Sequence, residues 1–126
     1  MQSSKYRILV VEDLQVAQKA AKSALRSIDC EIDFASTGQE AINLFNQNQY
    51  DLVFMDVGLP DMHGLTVVEQ IRDREEGQEH KTPIIALSVH TSDEYQEAAI
   101  DYGMNDFLSK PITAKKAKKI IDKYLK

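Results

Sequence analysis

The chain has 126 residues, 43% hydrophobic and 28% charged, which suits one globular domain, residues 1–126, and excludes a disordered chain or a pair of domains. Its 15 Lys and Arg stand against 20 Asp and Glu, a formal charge of −5. Residues 113–126 hold six Lys and one Asp, a local +5, so residues 1–112 carry −10; an acidic body of that kind argues against direct nucleic-acid binding.

In chain order, Met1 to Tyr6 has no apolar signal core, and no apolar run nears the roughly 20 residues that span a bilayer. The expected location is the cytoplasm, with no direct membrane contact. Tyr6 to Val11 is a β-rich run, and Ala17, Ala20, Ala21, Ala24, Leu25 and Ile28 recur at helical spacing behind it. The lone Cys30 excludes an internal disulfide and a cysteine-built metal site, and reads as a small core residue. A short strand follows from Glu31 to Ala35. Thr37-Gly38-Gln39-Glu40 has capping-box form ahead of Ala41, Ile42, Leu44 and Phe45. Asp51 to Asp56 is a third strand. A loop with Gly58, Pro60 and Gly64 leads to a helix from about Leu65 toward Arg74, and Glu75 to Thr82 reads as polar loop. Pro83 to Ser88 is a fourth strand, Thr91 to Glu94 repeats the capping-box spacing, and Tyr95, Ala98, Ala99 and Tyr102 continue a helix that Gly103 ends. Asp106 to Lys110 is the fifth strand. Ala117, Ile120, Ile121 and Tyr124 form the apolar stripe of a terminal helix whose lysines face water.

The pattern is strand then helix, five times. The central strands are apolar at consecutive positions, as strands covered by helices on both faces must be. The expected architecture is an open, doubly wound parallel α/β sheet in a three-layer sandwich. Ligands of such sheets bind outside the carboxyl ends of the strands. There the sequence puts Glu12 and Asp13 after strand one, Asp56 at the end of strand three, Ser88 at the end of strand four and Lys110 at the end of strand five. Three crowded carboxylates call for a cation, and oxygen donors of this kind suit Mg²⁺, which favours sites completed by a phosphate. Taken one by one, these acids read as helix caps and the lysine as solvated; together they are the inventory of a phosphoryl-transfer site.

The chain resembles the receiver domains of two-component response regulators along essentially its whole length. The resemblance rests on Val10-Val11-Glu12-Asp13, on Met55-Asp56 followed by Pro60 and Gly64, on Ser88, and on Lys110-Pro111 after Phe107. It implies a flavodoxin-like fold with strand order 2-1-3-4-5 and phosphorylation of Asp56 by a histidine kinase or a histidine phosphotransfer protein. It also implies Mg²⁺ held by Asp13, Asp56 and the Gly58 backbone carbonyl, with Glu12 acting through a water. Lys110 is the phosphoryl-pairing ammonium, preceding a cis-proline candidate, Pro111. The resemblance further implies that Ser88 and Phe107 form a switch that reshapes the face of the fourth helix, fifth strand and fifth helix, where partners or a second receiver would dock as a homodimer. Such a domain is not an enzyme beyond its own phosphotransfer and dephosphorylation.

The sequence departs from the family pattern at His63, where an acid is common, at Gly58, which brings no side chain, and at Val89, larger than the usual alanine. His63 and His80 read as surface residues. His90 is either a solvated loop residue or a group ordering water at the phosphoryl site. Three other readings compete. An aspartate-nucleophile phosphohydrolase would need a second acid where Gly58 stands. A flavodoxin would need a phosphate loop where Glu12 and Asp13 stand. A docking module would take no phosphate at all. The pattern ends with the fifth helix, which suits either a stand-alone receiver or one belonging to a larger protein such as a hybrid kinase. The Val-Val-Glu-Asp form leans toward the hybrid kinase.

Overall fold

The structure, a computed structural model, describes residues 5–59, 61, 64–89 and 93–126, with Asp93 and Tyr95 in backbone only. The expectations placed on Pro60, His63, His90 and Thr91, and on the side chain of Tyr95, lie outside the described residues. Five strands, β1 (Tyr6–Val11), β2 (Cys30–Ala35), β3 (Leu52–Asp56), β4 (Ile84–Ser88) and β5 (Asp106–Ser109), alternate with five helices. These are α1 (Gln15–Ala24), α2 (Gly38–Gln47), α3 (Gly64–Glu75), α4 (Asp93–Asp101) and α5 (Ala114–Tyr124). Every strand pair is parallel and the sheet order is β2-β1-β3-β4-β5, the flavodoxin-like order expected.

Successive strand side chains point to opposite faces. Leu9, Val11, Val53, Met55, Ile84 and Ala86 pack with Ala41 of α2, Val67, Val68 and Ile71 of α3, and Ala99 of α4. Their neighbours Ile8, Val10, Leu52, Phe54, Ile85 and Leu87 pack with Ala21 and Ala24 of α1 and with Ala117, Ile120 and Ile121 of α5. Both faces are dry, which is why the central strands show no polar alternation.

Two helix starts are capped by threonine, the one at Thr37 expected from the sequence and the one at Thr113 not. Thr37 Oγ1 accepts from Glu40 N at 3.1 Å, and Thr113 Oγ1 accepts from Lys116 N at 3.3 Å. Gly103 takes φ +107°, and Gly103 N and Met104 N close the last turn of α4 on the carbonyls of Ile100 and Ala99.

Several expectations change. Helix α1 stops at Ala24, because Leu25, Arg26 and Ile28 turn on the carbonyls of Ala21, Ser23 and Leu25; Ile28 still packs on the core. Cys30 is only half-buried, since β2 is an edge strand. Lys110 falls one residue past β5. Glu75 and Thr82, read as ends of a polar loop, are both buried. His80 is exposed, as expected. Among the described residues no helix is long and apolar enough to cross a membrane.

Candidate phosphoacceptor site

The parallel strands deliver the ends of β1, β3, β4 and β5 to one edge of the sheet. Glu12 extends β1 by donating its N–H to the Ala35 carbonyl at 2.9 Å, and Lys110 extends β5 by donating to the Ser88 carbonyl at 2.9 Å. Asp56 closes β3 beside Leu87 of β4. Glu12, Asp56 and Ser88 are buried. Asp13 is the most exposed of the three acids.

Lys110 Nζ lies 2.8 Å from Glu12 Oε2 and 3.1 Å from Asp56 Oδ1, with only 21% of its side chain exposed. Burial opposes the charged ammonium, but hydrogen bonding to Glu12 and Asp56 outweighs it and raises the Lys110 pKa. Glu12 is pushed the same way, above the usual carboxylate range: burial raises it and the neighbouring Asp56 charge adds to this, against the pull of Lys110. Glu12 Oε1 accepts from Leu14 N at 3.2 Å, and Asp56 Oδ1 accepts from Gly58 N at 3.0 Å.

The acids fit a divalent cation. Glu12, Asp13 and Asp56 each offer an oxygen, all within 4.8 Å of one another. Hard carboxylate oxygens gathered this closely are the donor type that Mg²⁺ takes. Glu12 Oε2 is itself buried, with the Lys110 ammonium at 2.8 Å as its close neighbour.

The structure thus brings Glu12, Asp13, Asp56, Gly58, Ser88 and Lys110 to one crevice. Phe107 is half-buried on β5 opposite Ala86 and packs against the core on the α2, α3 and α4 side. The Lys110–Pro111 bond is cis. Beside Glu12 and Lys110 runs an apolar groove of about 290 Å³ lined by Val16, Ala17, Ala20, Val89 and Pro111 among others. Val16 and Val89 are largely exposed.

Sequence reading missed the residues that hold these groups. Gln18 Nε2 donates to the Glu12 carbonyl at 2.7 Å and reaches Ser36 Oγ at 3.3 Å, joining the loops after β1 and β2. Lys116 Nζ donates to the carbonyls of Ser109 and Pro111 at 3.1 and 3.3 Å and to Ser109 Oγ at 2.9 Å, bracketing Lys110. The lysine count had read Lys116 as solvated. Its place in the first turn of α5, next to the chain leaving β5, was the available signal.

A five-stranded parallel sheet in the order β2-β1-β3-β4-β5, with acids and a lysine gathered at its carboxyl edge, defines the class as a flavodoxin-like α/β fold. Residues 8–122 match the profile of the response regulator receiver domain, and the chain belongs to that family. It is 36% identical over 124 residues to hybrid signal transduction histidine kinase L of Dictyostelium discoideum, an alignment covering 94% of this chain and 7% of that protein. The chain thus spans a small part of that kinase's length. Among solved structures, one neighbour is the co-crystal structure of the Saccharomyces cerevisiae histidine phosphotransfer protein Ypd1 with the receiver domain of its downstream response regulator Ssk1. That match has 31% identity and a TM-score of 0.86, and covers 98% of this chain and 91% of that one. Another is the receiver domain of sensor histidine kinase PA1611 from Pseudomonas aeruginosa PAO1, with a magnesium ion coordinated in its active-site cleft. Here the identity is 31% and the TM-score 0.84, covering 95% of this chain and 97% of that one.

Proposed function

We propose that this cytoplasmic receiver domain accepts a phosphoryl group on Asp56 from a phosphohistidine of a histidine kinase or histidine phosphotransfer protein. The observation that carries the reading is Lys110 Nζ between Glu12 Oε2 and Asp56 Oδ1, with Asp13 alongside. The magnesium-bearing and phosphotransfer-bound neighbours support it.

The Asp56 carboxylate meets the phosphohistidine phosphorus in line. An O–P bond forms as the P–N bond breaks, the electron pair returns to the imidazole nitrogen, and that nitrogen takes a proton from water. Lys110 pairs with the phosphoryl oxygens and offsets charge that builds during transfer. Asp13, Asp56 and the Gly58 carbonyl would hold Mg²⁺ directly, Glu12 would hold it through a water, and the ion supplies further charge neutralisation to the phosphoryl oxygens. The Ser88 hydroxyl then turns to the new phosphoryl oxygens and Phe107 turns inward, which alters the face of α4, β5 and α5 offered to partners, including a second receiver. The apolar groove beside Lys110 suits a protein donor, because its exposed Val16 and Val89 gain from being covered.

Intact-mass measurement after incubation with acetyl phosphate and Mg²⁺ tests this. Wild type should gain one phosphoryl group and Asp56→Asn none. Turnover of diverse phosphoesters without lasting mass gain would make the protein a hydrolase, and an unmodified wild type would make it a docking module.

A further inference from the structure

We propose that Asp61 is a positioning residue, which closes the N-terminal end of α2 and so holds the β3–α3 loop, and Gly58 within it, in the geometry that cation binding at Asp56 requires. The inference rests on the phosphoacceptor reading above.

The first turn of a helix leaves backbone N–H groups without partners. In α2 the Glu40 N–H goes to Thr37 Oγ1, an ordinary local cap. The two N–H groups before it go elsewhere. Gly38 N donates to Asp61 Oδ1 at 2.7 Å and Gln39 N donates to Asp61 Oδ2 at 3.1 Å. One carboxylate is thus forked across two adjacent amides from 23 and 22 residues away, facing the positive end of the helix dipole. The preceding turn already supplies Thr37, so what the Asp61 contact adds is a link between α2 and the loop that carries Gly58.

Among the described residues, further contacts hold the two ends of that loop. Gly58 N donates to Asp56 Oδ1 at 3.0 Å, and Gly64 N donates to the Val57 carbonyl at 3.1 Å. Leu59 packs against the core. Asp61, three residues after Gly58, is tied to α2, which is itself anchored by the buried Ala41. Without the carboxylate, the Gly58 peptide loses the far support that keeps its N–H on Asp56 and fixes where its carbonyl points.

The test compares wild type, Asp61→Ala and Thr37→Ala, unphosphorylated, by Mg²⁺ titration followed through amide NMR shifts and by hydrogen exchange at Gly58. Thr37→Ala loosens the same helix end without touching the loop. Asp61→Ala should weaken Mg²⁺ binding about tenfold and speed Gly58 exchange, while Thr37→Ala stays within about twofold of wild type. Asp61→Asn, which keeps one acceptor and the side chain's size, should fall between, and serves if the alanine variant does not fold. Wild-type affinity in the Asp61 variants, or equal weakening in Thr37→Ala, overturns the inference. A wild type that binds no Mg²⁺ and takes no phosphoryl group overturns the phosphoacceptor reading and this inference with it. A functional wild type with unaltered Asp61 variants overturns this inference alone.

Discussion

A methyl group at position 64 would sit 2.5 Å from the Asp56 carbonyl oxygen and 2.7 Å from Val57 Cα, both backbone atoms that cannot swing aside. The start of α3 therefore lies against the peptide of Asp56, and only glycine admits that approach. Gly64→Ala should lower the unfolding free energy by about 1–3 kcal/mol, read by urea denaturation. Glu75 is held as tightly for a different reason. Its buried carboxylate accepts from Arg72 Nη1 and, at 2.8 Å, from Thr82 N. The same guanidinium donates to the carbonyls of Gly103 and Thr82 and to Asn105 Oδ1. Glu75→Ala removes the carboxylate paired with Arg72 and leaves the buried Thr82 amide without its acceptor, so a loss of about 1–3 kcal/mol is expected in the same assay. Residues of these two kinds differ in how visible they were. Asp56 and Lys110 stood out because parallel strands converge their tips, which follows from the hydrophobic pattern. Glu75 lay in a polar stretch, and the partners of its arginine at 103 and 105 become neighbours only after folding.

Strands and helices were legible because a two-sided sheet writes consecutive apolar runs and each helix writes its own stripe. Their ends were less so, since a last turn is decided by local hydrogen bonds such as those that stop α1 at Ala24. The docking of β5 on α5 was not legible at all. Asp106 Oδ2 accepts from Lys123 Nζ and from Tyr124 Oη, each at 2.9 Å, and Asp106 Oδ1 accepts from Phe107 N. Burial would raise the Asp106 pKa, but these donors together outweigh it and hold the carboxyl below its ordinary range. A carboxyl lowered on folding contributes stability above its unfolded pKa of about 3.9, and that contribution disappears as pH falls through the folded value. Asp106→Asn should therefore lose less stability than wild type on acidification from about pH 5 to pH 2, measured by thermal melts.

Across the whole molecule, two dry layers clamp the sheet and leave its carboxyl edge as the place where charge gathers. Mg²⁺ bound there should stabilise the fold by mass action, by about 1.4 kcal/mol at ten times its dissociation constant. Calorimetric melts with and without the ion would show the shift, chelation would reverse it, and Asp13→Asn should abolish most of it. The outer strand β2 has a separate consequence. An edge strand offers unpaired N–H and C=O groups to any strand that meets it. Glu31 is exposed there, and Asp33, on the same face, is already engaged by Arg7 of its own chain. Identical copies approaching edge to edge bring anion against anion. Crowded solutions of this domain should therefore resist intermolecular β-stacking on that side, a colloidal safeguard that falls to the exposed Glu31 of the strand farthest from β5.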